Sequence, residues 1–171
     1  MLRKPGLARL LLSLSLTSVG GCLYGFTGGG LPAGIRTVAV LPFENQTAEP
    51  TLTQEITRAV REAVESRLGL RPAGEEQADA LVRGTITRYE PDKLLAVTGS
   101  SGTANNRVEV TARMVEITIN VEILDQREGK PLWTRSSLTV QGEYTTQEIE
   151  GRRKALDKLI TDIVDGAQSQ W

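Results

Sequence analysis

Thr51–Leu68 reads TLTQEITRAVREAVESRL, and Gly69 follows it. Leu52, Ile56, Ala59, Val60, Ala63, Val64 and Leu68 recur at spacings of four and three, which puts them on one face of a helix. Thr51 with Gln54 fits a capping box, and Gly69 supplies a left-handed stop. Burying each larger side chain of this stripe is worth about 1.5–3 kcal/mol, which a helix alone in water cannot recover. The stripe therefore calls for a sheet beneath it, and the flanking sequence provides one.

Upstream, Ile35–Phe43 (IRTVAVLPF) is a β-rich run with four consecutive apolar residues, Val38 to Leu41, suited to a strand covered on both faces. Pro42 is expected to end its pairing. Downstream, Ala80–Glu90 reads as a second strand ended by Pro91, with Ala80, Val82, Gly84 and Ile86 facing one way and Arg83, Thr85, Thr87 and Tyr89 the other. The segment from Asp92 to Asn106 ends in GSSGTANN and is expected to be a mobile loop. Val108–Asp125 is a long third strand with a change of phase. Val108, Val110, Ala112 and Met114 share one parity, and Ile117, Ile119, Val121 and Ile123 share the other. A bulge near Met114–Val115, or partial burial of both faces at different ends, accommodates this.

Asp125–Lys130 (DQREGK) carries a turn glycine and joins this strand to Pro131–Tyr144 as a hairpin. In that fourth strand Leu132, Leu138, Val140 and Tyr144 share one face, which places Trp133 on the other beside Arg135, Ser137 and Thr139. A last helix runs from about Gln147, with Ile149, Leu156, Leu159, Ile160, Ile163, Val164 and Ala167 as its apolar stripe and Arg152, Arg153, Lys154, Asp157, Lys158 and Asp162 facing water. Trp171 is placed to close the edge of the core. The order β-α-β-β-β-α implies an α/β fold of the α+β two-layer sandwich type: a four-stranded mixed sheet with two helices on one face. A helical crossover between the first two strands favours parallel pairing if they are neighbours.

The N-terminus is of another kind. Arg3, Lys4 and Arg9 precede the apolar run Leu10–Leu16, and Val19-Gly20-Gly21 leads into Cys22, the one cysteine of the 171 residues. A basic start, a short apolar core and small residues at the cut describe a secretory signal. The run is too short for the roughly 20 apolar residues that span a bilayer. The organisation expected is a signal peptide over residues 1–21, a lipidated Cys22 with a flexible tether over 22–34, and a single α/β domain over 35–171. The tether, with five glycines in residues 23–34, has an r.m.s. reach of roughly 20 Å. Gly28-Gly29-Gly30 follows the anchor and precedes a strand, which is the wrong place for a phosphate-cradling loop.

Composition excludes several classes of function. Removing the signal leaves 17 Lys+Arg against 21 Asp+Glu, a net charge of −4, with no basic stripe to hold nucleic acid. There is no histidine, hence no Ser-His triad and no His-based metal site. Glu44, Asp79, Glu116 and Glu122 are carboxylates available for acid–base work, but no spacing pairs any two of them. No enzyme, cofactor or metal is expected.

With its elements in place, the chain resembles the lipopolysaccharide-assembly lipoprotein family (LptE-like). The resemblance rests on Cys22-Leu23-Tyr24-Gly25-Phe26, on Ile35 to Asn45, on Leu81-Val82-Arg83-Gly84-Thr85-Ile86 and on Leu132-Trp133. It implies a diacylglyceryl and palmitate anchor on Cys22 and a place on the periplasmic face of the outer membrane. The implied partner is the lumen of a β-barrel translocon that delivers lipopolysaccharide to the cell surface. Leu23, rather than Asp, after the cysteine is compatible with outer-membrane sorting. Val-Ala-Val-Leu-Pro-Phe strands also occur in periplasmic activators of cell-wall synthases and in secretion-type lipoproteins, which are the alternative class. Whether lipopolysaccharide itself is bound stays open. Lys93 and Arg107, which bracket the expected loop, are candidate lipid contacts, with solvated surface as the plainer reading. Trp133 is a candidate partner contact, with cover by a neighbouring side chain as the plainer reading.

Lipid on Cys22 has a direct test. Cys22→Ser should leave an unprocessed precursor without thioether-linked lipid, and mass spectrometry of the mature wild type should find the lipid on this residue. An unmodified Cys22 in the mature protein contradicts the anchor.

Overall fold

Beneath the Thr51–Leu68 stripe lies the sheet that its burial requires. A computed structural model describes residues 31–32, 34–99 and 108–169; Cys22, Arg107 and Trp171 lie outside them. The strands are β1 (Thr37–Val40), β2 (Glu44–Asn45), β3 (Arg71–Pro72), β4 (Ala80–Gly99), β5 (Val108–Asp125) and β6 (Lys130–Tyr144). The helices are α1 (Thr51–Arg67) and α2 (Glu148–Gln168). The strands form one six-stranded mixed sheet, ordered β3-β1-β4-β5-β6, with β2 also on β4. Two strands more than expected appear because two-residue pairings carry no periodicity. The first long strand does pair in parallel with β4, Val38 opposite Ala80.

β1 is covered on both faces. Val38 and Val40 enter the main core, while Ala39 packs with Ala78 and Leu81 in a small cluster on the opposite side. Pro42 interrupts the strand without ending its alignment: Glu44–Asn45 resumes parallel pairing at Thr85–Ile86. In the interruption, the Phe43 N–H donates to the buried Thr57 hydroxyl at 3.0 Å.

Both helices lie on one face. Leu52, Ile56, Val60 and Val64 of α1 and Ala155, Leu159, Ile163 and Ala167 of α2 share one core with Val115, Ile117, Ile119, Val121 and Ile123 of β5. Gly69, at φ 67°, stops α1 as its position implies. The start differs from a capping box. Thr51 makes no side-chain cap; its N–H and hydroxyl both donate to the Glu49 carboxylate. In α2 the buried face is rotated from the expected stripe, so Gly151 is buried and Ile149 is 53% exposed.

Bulges account for the remaining differences. An extra residue at Thr87 shifts the β4 register, so Tyr89 turns toward the helices although its parity matches Arg83. Pro91 does not end β4, because a second irregularity between Glu90 and Lys93 takes it out of the ladder, where its missing N–H costs nothing. Asp92–Gly99, read as loop, is strand paired with β5. In β6 an irregularity between Arg135 and Leu138, with Ser137 at φ 52°, reverses the parity. Trp133 therefore stands opposite Ile123 in the core, 3% exposed, and not on the polar face.

Two glycines set how closely α2 approaches the sheet. A Cβ on Gly142 would stand 2.7 Å from the Ala155 nitrogen, and one on Gly151 2.8 Å from the Gly142 carbonyl oxygen. Gly142→Ala should cost about 1–3 kcal/mol by overpacking, read as a lower denaturation midpoint. Ile119→Asp should unfold the domain, since it strands a charge at a fully buried position. Unchanged melting of either variant contradicts this packing.

Candidate functional site

Among the described residues, the opposite face of β4, β5 and β6 is uncovered, apart from the strip beneath the Ala39–Ala78–Leu81 cluster. This open face is polar because the strands alternate. Arg83 stands beside Glu122, and Arg88 beside Thr118, which in turn is paired with Thr139; Glu90 beside Glu116 and Gln141 completes the rows. The rows are cross-linked. Arg83 Nη2 lies 2.7 Å from Glu122 Oε2, and the Thr118 and Thr139 hydroxyls are 3.0 Å apart. One end forms a groove of about 540 Å³, lined by Glu44, Arg83, Asn120, Glu122 and Arg135 among others.

Lys93 and Glu116 make a second close ion pair on this face. Lys93 Nζ sits 2.8 Å from Glu116 Oε2, and Gln141 Nε2 donates to the same oxygen at 2.6 Å. The ammonium, and after it the amide, holds the Glu116 carboxyl below the usual carboxylate range. The same bond raises Lys93. Lys93 is thus exposed but already paired. The other carboxylates named from the sequence are also committed: Glu44 to Thr85, Glu122 to Arg83, and Asp79 to Arg127 and the Arg36 and Thr37 N–H groups. These backbone N–H bonds and Arg127 hold Asp79 well below the ordinary range.

Two aromatic residues expected on this face are on the other side. Trp133 packs beneath α2, where a Cβ on Gly166 would meet its ring at 2.5 Å. The Tyr89 hydroxyl donates to Glu148, and burial, then this bond, raises its pKa. The Arg152 guanidinium lies 5.6 Å from the Tyr89 ring centre and bonds Glu148, Glu55 and Thr51. Arg152 was expected in water; it ties α1, α2 and β4 together instead. Of the residues expected on the open face, Arg83 and Thr139 are exposed there; Arg135, opposite Val121, is exposed but falls on the Trp133 side of the strand, and Lys93 and Trp133 are not brought together. Asn120, whose Oδ1 accepts the Ser137 N–H at 2.8 Å, escaped the sequence reading. Its parity with Thr118 and Glu122 was the available signal.

A family model described as LptE, lipopolysaccharide-assembly, matches residues 35–168. The chain belongs to the LptE family. Its role is accordingly in lipopolysaccharide assembly, within the cell envelope. No curated protein matches it in sequence. Among solved structures, protein XCC0632 from Xanthomonas campestris is 12% identical, with 82% of this chain and 90% of that chain covered and a TM-score of 0.54. Hypothetical protein CT253 from Chlamydia trachomatis is 10% identical over 79% and 99% of the two chains, at a TM-score of 0.50. At these identities the likeness is one of fold.

The Lys93–Glu116 pair has a pH signature. Because the folded pKa of Glu116 is depressed, its stabilisation is present above the ordinary value of 4.5 and is lost as pH falls through the folded value. Lys93→Met should move the Glu116 titration upward in carboxyl NMR. The stability difference from wild type should then shrink in acid. An unmoved midpoint contradicts the pairing.

Proposed function

We propose that this LptE-family chain is an outer-membrane lipoprotein that serves a β-barrel lipopolysaccharide translocon as plug and assembly partner, without catalysis. Lipid on Cys22 and the tether over 22–34 hold the domain of residues 35–171 at the periplasmic face. The observation that supports this reading is the open face of β4–β6. A sheet with helices on one side only presents its other side to something, and here that side is a lattice of ion pairs and hydroxyls. The lumen of a membrane β-barrel is likewise polar, so the two surfaces match in chemistry. Carboxylates committed to neighbouring cations and N–H groups suit a binding surface better than proton transfer.

A partner that encloses the domain buries more than the ~1,600 Å² of a standard interface, which makes a long-lived complex. Capture of the tagged protein from detergent-solubilised membranes should therefore return one β-barrel in stoichiometric amount. Depletion should impair lipopolysaccharide export. Arg83→Glu with Arg88→Glu should reduce capture several-fold while melting changes little, because both side chains are exposed on the open face. Capture of a cell-wall synthase, with the outer membrane intact on depletion, contradicts the proposal.

A further inference from the structure

Among the described residues the sheet has two free edges, and each is met by one or two cations from the helix above it. At the β6 edge, Lys154 Nζ donates to the Glu143 carbonyl at 2.9 Å and Lys158 Nζ to the Gln141 carbonyl at 2.8 Å. At the other edge β3 covers β1 for only two residues. Beyond it, Arg61 of α1 donates to the Val40 carbonyl at 3.3 Å.

Unused carbonyls and N–H groups at a sheet edge are the template on which another strand can pair. Residues two apart on a strand direct these groups the same way, so Gln141 and Glu143 both turn theirs away from β5. The spacings agree: one helical turn between the two lysines is about 6 Å, and two strand residues span about 7 Å. The close seat of α2 on Gly142, between the two carbonyls, brings the lysines within reach. Further along β6, the irregularity at Ser137, whose N–H goes to Asn120, bends the edge away from a flat template.

We propose that Lys154 and Lys158 are edge guards, which keep β6 of one copy from pairing with β6 of a second copy. The excluded occupant is a second copy because an antiparallel strand is complementary to itself about a twofold axis, each outward group meeting its own counterpart. Pairing of this kind would join two sheets into one across the molecules. The inference is independent of the assembly role, since it concerns only the edge of this sheet.

Analytical ultracentrifugation of the full-length protein in detergent tests it. The wild type should sediment as a monomer. Lys154→Met with Lys158→Met keeps the apolar stems and removes the donors; its dimer dissociation constant should fall about tenfold or more, which is at least 1.4 kcal/mol. Lys154→Arg with Lys158→Arg keeps the donors and stays monomeric. Adding Gln141→Pro to the Met pair removes an outward N–H, breaks no backbone bond to β5 and gives up only the side-chain bond to Glu116, and it restores the monomer. A Met pair that stays monomeric overturns the proposal, as does a dimer that Gln141→Pro leaves intact. Should the Met pair fail to fold, each single Met variant takes its place. Weaker but measurable dimerisation is then expected, and monomers in both cases overturn the inference.

Discussion

Burial of Val115, Ile117, Ile119, Val121 and Ile123 beneath two helices is the constraint on which the rest of the structure depends. Side chains alternate along a strand, so these five can be buried together in only one register. Once that register is set, Glu116, Thr118, Asn120 and Glu122 must stand on the opposite face. The helices have only enough surface for one side, so the polar residues of β4 and β6 are left beside those of β5 as a single field. The open polar face is thus a consequence of where the apolar residues go.

Most of this architecture was legible because it follows from local patterns. The α1 stripe rests on a repeat of 3.6, the parallel β1–β4 pair on the helical crossover, the hairpin on Gly129 and the two-faced burial of Val38–Val40 on an unbroken apolar run, all of which a sequence displays directly. Illegible were the positions where one added residue resets a period. Trp133 and Tyr89 were placed on the open face by counting in twos, and the irregularities near Ser137 and Thr87 put both in or against the core. Sequence alone marks such positions weakly, since Ser and Thr are also ordinary strand residues. Close backbone approach is equally silent: Gly142 and Gly151 look like weak points in a strand and a helix, and their purpose appears only when α2 is laid on β6.

The candidate site shows the same division. Its composition was legible in the polar positions of three strands, whereas its pairings were not. Lys93 looked like a free cation at the rim of a loop, but the continuation of β4 past Pro91 sets it over Glu116. Pairing lowers the availability of that charge to a lipid phosphate, since a ligand must displace a carboxylate that is held by two donors. What the face offers a partner is therefore less a cationic patch than a set of hydroxyl, amide and ion-paired groups in fixed positions. That is the chemistry of specificity and register more than of electrostatic capture.

The most direct test of this account is photocrosslinking in living cells from a probe at position 118, the middle of the open face. The account predicts a discrete adduct between Thr118→p-benzoylphenylalanine protein and one outer-membrane β-barrel, lost when the barrel is depleted. Adducts to a cell-wall synthase alone, or none with the barrel while the variant protein still supports lipopolysaccharide export, would contradict it.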